Sequence, residues 1–170
     1  MDELSARFGA YRLWMFDADG TLRRTTVPGQ PCPRADDEWE ALPGVRDMLT
    51  SVAWNRAGTP HLGLASNQDQ VGAGLIPFQV ARGLLRALAL EVAGVHLPDA
   101  ALQICPHALG VHCQCRKPRP GMLRALMAHY DVPAGEAVFV GDSAVDRGAA
   151  KSAGVAFVDA AVLFGWTQSA

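Results

Sequence analysis

The sequence predicts an α/β protein of three layers, with a central parallel sheet covered by helices on both faces. Three observations predict it. Short apolar runs alternate along the chain with stretches of helical spacing. The runs are apolar at nearly every position, as strands buried on both faces are. Polar clusters follow directly after the runs, where the loops of such a sheet gather and where its ligands bind. The length of 170 residues lies in the range of about 100–200 typical of one domain, so residues 1–170 read as a single domain.

In chain order, strands are expected at residues 11–16, 61–65, 102–105, 137–140 and 155–158. Between the first two lies a Pro-rich segment, 22–42, that carries Arg23 and Arg24 and reads as a short flap. A first helix follows from the spacing of Val45, Met48, Leu49, Val52 and Ala53. A second rests on Val80, Leu84, Leu85 and Leu88, and a third on Met122, Leu123, Leu126 and Met127. A fourth runs over 143–153. Trp14, Trp39, Trp54 and Trp166 read as core or flap residues, with Trp166 also placed to serve a dimer contact.

Hydrophobic residues make up 49% of the chain and charged residues 19%, which excludes bulk disorder. The formal net charge is -2, so no strong field holds nucleic acid or an anionic membrane. The start, acidic and without a basic head before an apolar stretch, does not resemble a secretory signal, and a cytoplasmic protein is expected. The longest apolar stretches are interrupted well before the roughly 20 residues of a membrane helix.

Asp17 and Asp19 leave the first strand and meet the turn former Gly20. Two such carboxylates suit Mg2+; one can attack phosphorus while the other protonates the leaving oxygen and later activates water. The plainer reading is a turn or cap acid. Asp142 and Asp146, four apart after the fourth strand, share a helix face and could complete the metal site; Asp142 and Ser143 could equally cap the helix. Four acids converging in one crevice repel unless a divalent cation neutralises them. Ser66 and Asn67 follow the second strand and offer donors to phosphate oxygens, and Lys117 could neutralise a transferred group, although such residues are more often turn formers or solvated cations. Cys105, His107, Cys113 and Cys115 form a Cys3His set within eleven residues, suited to a closed structural Zn2+ site. His112 could replace His107, and reduced thiols or a Cys113–Cys115 redox pair are the alternative. Cys32 stands apart as a loop thiol.

The order D-x-D-G-T at 17–21, Ser66, Lys117 and GDSAVD at 141–146 resembles the four motifs of the haloacid dehalogenase superfamily. The segments 65–68 and 105–122 look like the subgroup that contains heptose bisphosphate phosphatases and histidinol phosphatases and carries a zinc-stapled loop. The resemblance implies a Rossmann-like domain and a hydrolase that forms an aspartyl phosphate. It implies Asp17 as nucleophile, Asp19 as general acid and base, and Ser66 and Lys117 as phosphoryl ligands. Mg2+ would lie on Asp17, Asp142 and the Asp19 carbonyl, with Asp146 in support and Asn67 and Arg116 facing the substrate. Only 49 positions separate Asp17 from Ser66 and 51 separate Ser66 from Lys117, which leaves no room for a large cap domain.

A small phosphorylated sugar or metabolite, heptose bisphosphate-like, is the expected substrate, handled by a monomer or small homo-oligomer without nucleic acid or membrane. A histidinol phosphatase, a phosphatase of nucleic-acid ends and a noncatalytic zinc-stabilised binding module are the competing readings. Two departures bear on substrate. Ala18 stands where heptose bisphosphate phosphatases commonly have Arg, and Asp69 adds an acid near the mouth. A distal phosphate needs cations, which Arg23, Arg24, Arg116 and Arg119 could supply.

Overall fold

A computed structural model describes residues 8–167. Its strands are β1 (Leu13–Phe16), β2 (Arg23–Thr25), β3 (Trp39–Ala41), β4 (His61–Asn67), β5 (Leu102–Cys105), β6 (Ala137–Gly141) and β7 (Ala156–Asp159). Its α-helices are α1 (Val45–Thr50), α2 (Asp69–Gly72), α3 (Phe78–Ala93), α4 (Gly121–Tyr130), α5 (Ala144–Ala153) and α6 (Ala160–Phe164). Five strands form one sheet in the order β5-β4-β1-β6-β7, with every adjacent pair parallel. The expected three-layer α/β architecture is therefore the observed one.

The layering follows from the two-residue period of buried strands. All four residues of β1 are buried, yet they serve different faces. Trp14 and Phe16 pack with Val45 and Leu49 of α1, Leu85 and Leu88 of α3 and Leu163 of α6. Leu13 and Met15 face the other way, onto Met122, Leu123 and Leu126 of α4 and Ala149 and Ala150 of α5. Each large apolar side chain so buried contributes about 1.5–3 kcal/mol.

Helix α3 buries Ala81, Leu84, Leu85, Leu88, Ala89 and Val92, a stripe at three- and four-residue spacing, and ends at Gly94 in the left-handed conformation. Helix α5 begins with a capping box: the Asp146 N–H donates to Ser143 Oγ, and the Ser143 N–H donates back to Asp146 Oδ2.

Several boundaries differ from those expected: β6 runs on to Gly141, β7 spans Ala156–Asp159 and α1 stops at Thr50. The first strand begins at Leu13 rather than at residue 11, and Tyr11 ahead of it lies edge-on to Trp14, 5.7 Å away. The second strand runs two residues further, to Asn67, because Ser66 and Asn67 pair with Ile104 and Cys105 of β5. The expected flap is an antiparallel ribbon of β2 and β3 with its connecting loop. Among the described residues no helix is long and apolar enough to cross a membrane.

Candidate active site

The chain crosses from β1 to β4 and β5 on one side and later adds β6 and β7 on the other, so a crevice opens at the carboxyl end of β1. Its volume is about 270 Å³, and Asp17, Asp19, Cys32, Ser66, Asn67, Lys117, Asp142 and Asp146 border it. The predicted carboxylates and lysine, far apart in sequence, thus share one space. A larger hollow of about 580 Å³ lies among residues 9–12 and 55–61 and shares no residue with it.

Lys117 is the hub. Its Nζ donates to Asp17 Oδ1 at 2.5 Å, to Asp146 Oδ1 at 2.7 Å and to the Ala65 carbonyl at 2.9 Å, above the Phe139 ring. Asp17, Lys117 and Asp146 are all buried, whereas Asp142 lies exposed at the mouth. Burial opposes the charge on Lys117, but the two carboxylates outweigh it and raise its pKa. Burial pushes Asp17 up to about 7 against the pull of Lys117, with Asp146 and Asp19 adding repulsion. Withdrawal from water raises Asp142 as well.

Oxygens of Asp17, Asp142 and Asp146 come within 4.8 Å of one another. Three carboxylates against one ammonium leave two negative charges uncompensated, so the donor set fits a divalent, oxygen-seeking cation. Thr21 Oγ1 links the two candidate ligands, 3.2 Å from Asp17 Oδ2 and 3.0 Å from Asp142 Oδ1. Gly20, at φ +92°, makes the approach possible, because a Cβ there would sit 2.5 Å from Asp142 Oδ2.

Asp19 is held differently. Arg23 Nε donates to Asp19 Oδ1 at 2.8 Å and Nη2 to Oδ2 at 3.3 Å, while Nη1 donates to the Leu84 carbonyl. Gln68 Nε2 lies 2.9 Å from Asp19 Oδ2 and 2.8 Å from Ser66 Oγ. Gln70 Nε2 in turn donates to Gln68 Oε1 and to the carbonyl of Pro33 in the flap. A fully buried amide and arginine therefore tie the flap, Asp19 and Ser66 together. The roles of Gln68, Gln70 and Thr21 and this use of Arg23 were not legible in the sequence. The one available signal was polar residues crowded against strand ends.

Asn67 and Arg116, expected to face a substrate, both have protein partners. Asn67 Nδ2 donates to the Lys117 carbonyl and its Oδ1 accepts the Lys117 N–H. Arg116 is paired with Asp69. Cys32 borders the crevice from the flap, and burial pushes its thiol up to about 12.

The four predicted zinc donors also meet. Cys105 Sγ lies 3.5 Å from His107 Nδ1 and 3.7 Å from Cys113 Sγ, and Cys115 Sγ lies 3.2 Å from His107 Nδ1. A tetrahedral ion with bonds of about 2.0–2.3 Å sets its ligands about 3.3–3.8 Å apart, so the set fits Zn2+. Burial raises Cys105 to about 12; at Cys113 burial acts the same way, but the Arg116 N–H and neighbouring thiols carry it down to about 7. His112 is turned away to Arg119, which leaves His107 as the nitrogen donor in the cluster.

A family model for haloacid dehalogenase-like hydrolases matches residues 28–154. The chain belongs to that family. Within it the chain is a phosphatase related to enzymes named for heptose bisphosphate. It is 36% identical to the D-glycero-beta-D-manno-heptose-1,7-bisphosphate 7-phosphatase of Pseudomonas putida, over 84% of this chain and 78% of that protein. It is 33% identical to the D-glycero-alpha-D-manno-heptose-1,7-bisphosphate 7-phosphatase of Mycobacterium bovis, over 84% of this chain and 73% of that protein. A solved structure, D,D-heptose 1,7-bisphosphate phosphatase from Bordetella bronchiseptica complexed with magnesium and phosphate, superposes with a TM-score of 0.70. Identity there is 32%, over 86% of this chain and 78% of that one.

Proposed function

We propose that the protein is a Mg2+-dependent phosphatase of small phosphorylated sugars that works through an aspartyl phosphate on Asp17. The observation that carries the reading is the buried triad of Asp17, Lys117 and Asp146, with Asp142 beside it at the end of a parallel sheet. Asp17, Asp142 and the Asp19 carbonyl would hold Mg2+, which supplies charge neutralisation to the carboxylates and the phosphoryl group.

Asp17 forms a bond to phosphorus as the ester oxygen leaves with a proton from Asp19. Asp19 then takes a proton from water, whose oxygen bonds to phosphorus and releases Asp17 and inorganic phosphate. Lys117 and Ser66 meet the phosphoryl oxygens, and Arg23 and Gln68 fix the position of Asp19. The Cys3His set would hold Zn2+ as a structural staple that keeps Arg116 and Lys117 in register with Asn67. The names of the relatives make heptose 1,7-bisphosphate, of either anomer, and its matched monoester the first substrates to try.

The test is phosphate release, with Mg2+, from heptose, hexose, pentose, histidinol, glycerol and nucleotide phosphates, comparing the protein with Asp17→Asn. Turnover of a sugar phosphate that falls at least about 1,000-fold in the variant is expected. Turnover that survives the substitution removes Asp17 as nucleophile. Silence across the panel in a folded, metal-loaded protein favours the noncatalytic binding module.

A further inference from the structure

Beside the crevice the cations are already engaged. Arg116 Nη1 donates to Asp69 Oδ1 at 2.8 Å, with both side chains partly exposed. The pair stands next to crevice residues on either side: Asp69 opens α2 two positions after Asn67, and Arg116 precedes Lys117, whose backbone is bonded twice to the Asn67 amide. The Arg116 N–H donates to Cys113 Sγ, which anchors the arginine backbone to the Cys3His loop.

The arginines of the flap and the Cys3His loop have partners too. Arg23 is buried on Asp19, and Arg24 is paired with Glu40 across the flap. Arg34 lies in the field of Glu38, and Arg119 is bonded to the Cys113 carbonyl beside His112. Arg23 is sealed in the core, Arg24 and Arg34 belong to the exposed flap and Arg119 is tied to the Cys3His loop, whereas Arg116 directly precedes the crevice residue Lys117 and is therefore the cation whose position bears on a distal anionic group.

We propose that Asp69 is a specificity-determining residue that, by occupying Arg116, directs the crevice to phosphomonoesters lacking a second phosphate. A bisphosphate has to draw Arg116 away and leave the Asp69 carboxylate unpaired beside an incoming dianion, and like charges so placed oppose binding. A hydroxylated or uncharged tail meets the pair as it stands. The inference rests on the phosphatase reading above and narrows its substrate class.

The experiment compares kcat/KM for heptose 7-phosphate and heptose 1,7-bisphosphate, with p-nitrophenyl phosphate as a reporter of the reaction itself. The wild type is expected to favour the monophosphate. Asp69→Asn is expected to raise the bisphosphate-to-monophosphate ratio about tenfold, the scale of one charge-assisted contact. Adding Arg116→Gln to that variant should cancel the gain, because the freed arginine is its source.

A wild type that prefers the bisphosphate, or a ratio unmoved in Asp69→Asn, overturns the proposal. Asp69→Ser supplies the same reading if the Asn variant does not fold. A wild type inert on p-nitrophenyl phosphate and on both sugar esters with Mg2+ overturns the phosphatase reading, and the proposal with it. Activity on p-nitrophenyl phosphate with an unmoved ratio sinks the role of Asp69 alone.

Discussion

At the scale of the residue, the crevice is a problem of charge held in a confined space. The Asp17 carboxyl rises from 3.8 to about 7 on folding, burial being the largest cause. Between those values the folded chain binds more protons than the unfolded one, so this group lowers stability as pH climbs through that window. The metal-free protein is therefore expected to show a falling Tm from about pH 4 to pH 7, and Mg2+ should raise Tm more at pH 8 than at pH 5, because protons no longer compete for the same oxygens. Thermal scans with EDTA and with Mg2+ at the two pH values check this. Gly20 is the second test. Gly20→Ala places a Cβ against the Asp142 carboxylate at a positive φ, and a loss of about 1–3 kcal/mol together with weaker Mg2+ binding is expected from denaturant melts and metal titration.

At the scale of the element, the loop from Cys105 to Lys117 begins at a strand end and finishes inside the crevice. Its four donors close an eleven-residue span, and Arg116 and Lys117 follow the last of them directly. Chelation of the Zn2+ proposed for these donors is expected to loosen both cations, to reduce turnover and to lower Tm. A staple worth about 2 kcal/mol moves Tm by about 4–8 °C in a chain of this size. Scanning calorimetry before and after treatment with a zinc chelator, with Mg2+ restored, reads the effect.

The elements differ in how far the sequence revealed them. The five sheet strands and four longer helices were legible because burial writes its period into side-chain polarity. Strands β2 and β3 and helices α2 and α6 were not, since each is three to five residues long and owes its shape to what it packs on. The site divides in the same way. Asp17, Ser66, Lys117, Asp142 and Asp146 stand at strand ends or in motif order, whereas Gln68 gains its partners only once Asp19 comes beside β4, and Gln70 only once the flap lies over it.

At the scale of the whole molecule, two apolar cores are built on one sheet, and β1 contributes alternate residues to both. That strand is central, with β4 on one edge and β6 on the other, and β6 lies more than 120 residues further along the chain. Asp17 and Asp146 approach each other by the same long return. In a chain still leaving the ribosome, β1 emerges before β6 and waits with one edge open until β6 arrives, a period in which it is exposed to wrong pairing. Asp17 likewise stays apart from Asp142 and Asp146 until more than 120 further residues have been made. The acidic cluster cannot form before Asp142 and Asp146 have been made, so the capacity to cleave esters depends on β6 and the start of α5 having joined β1.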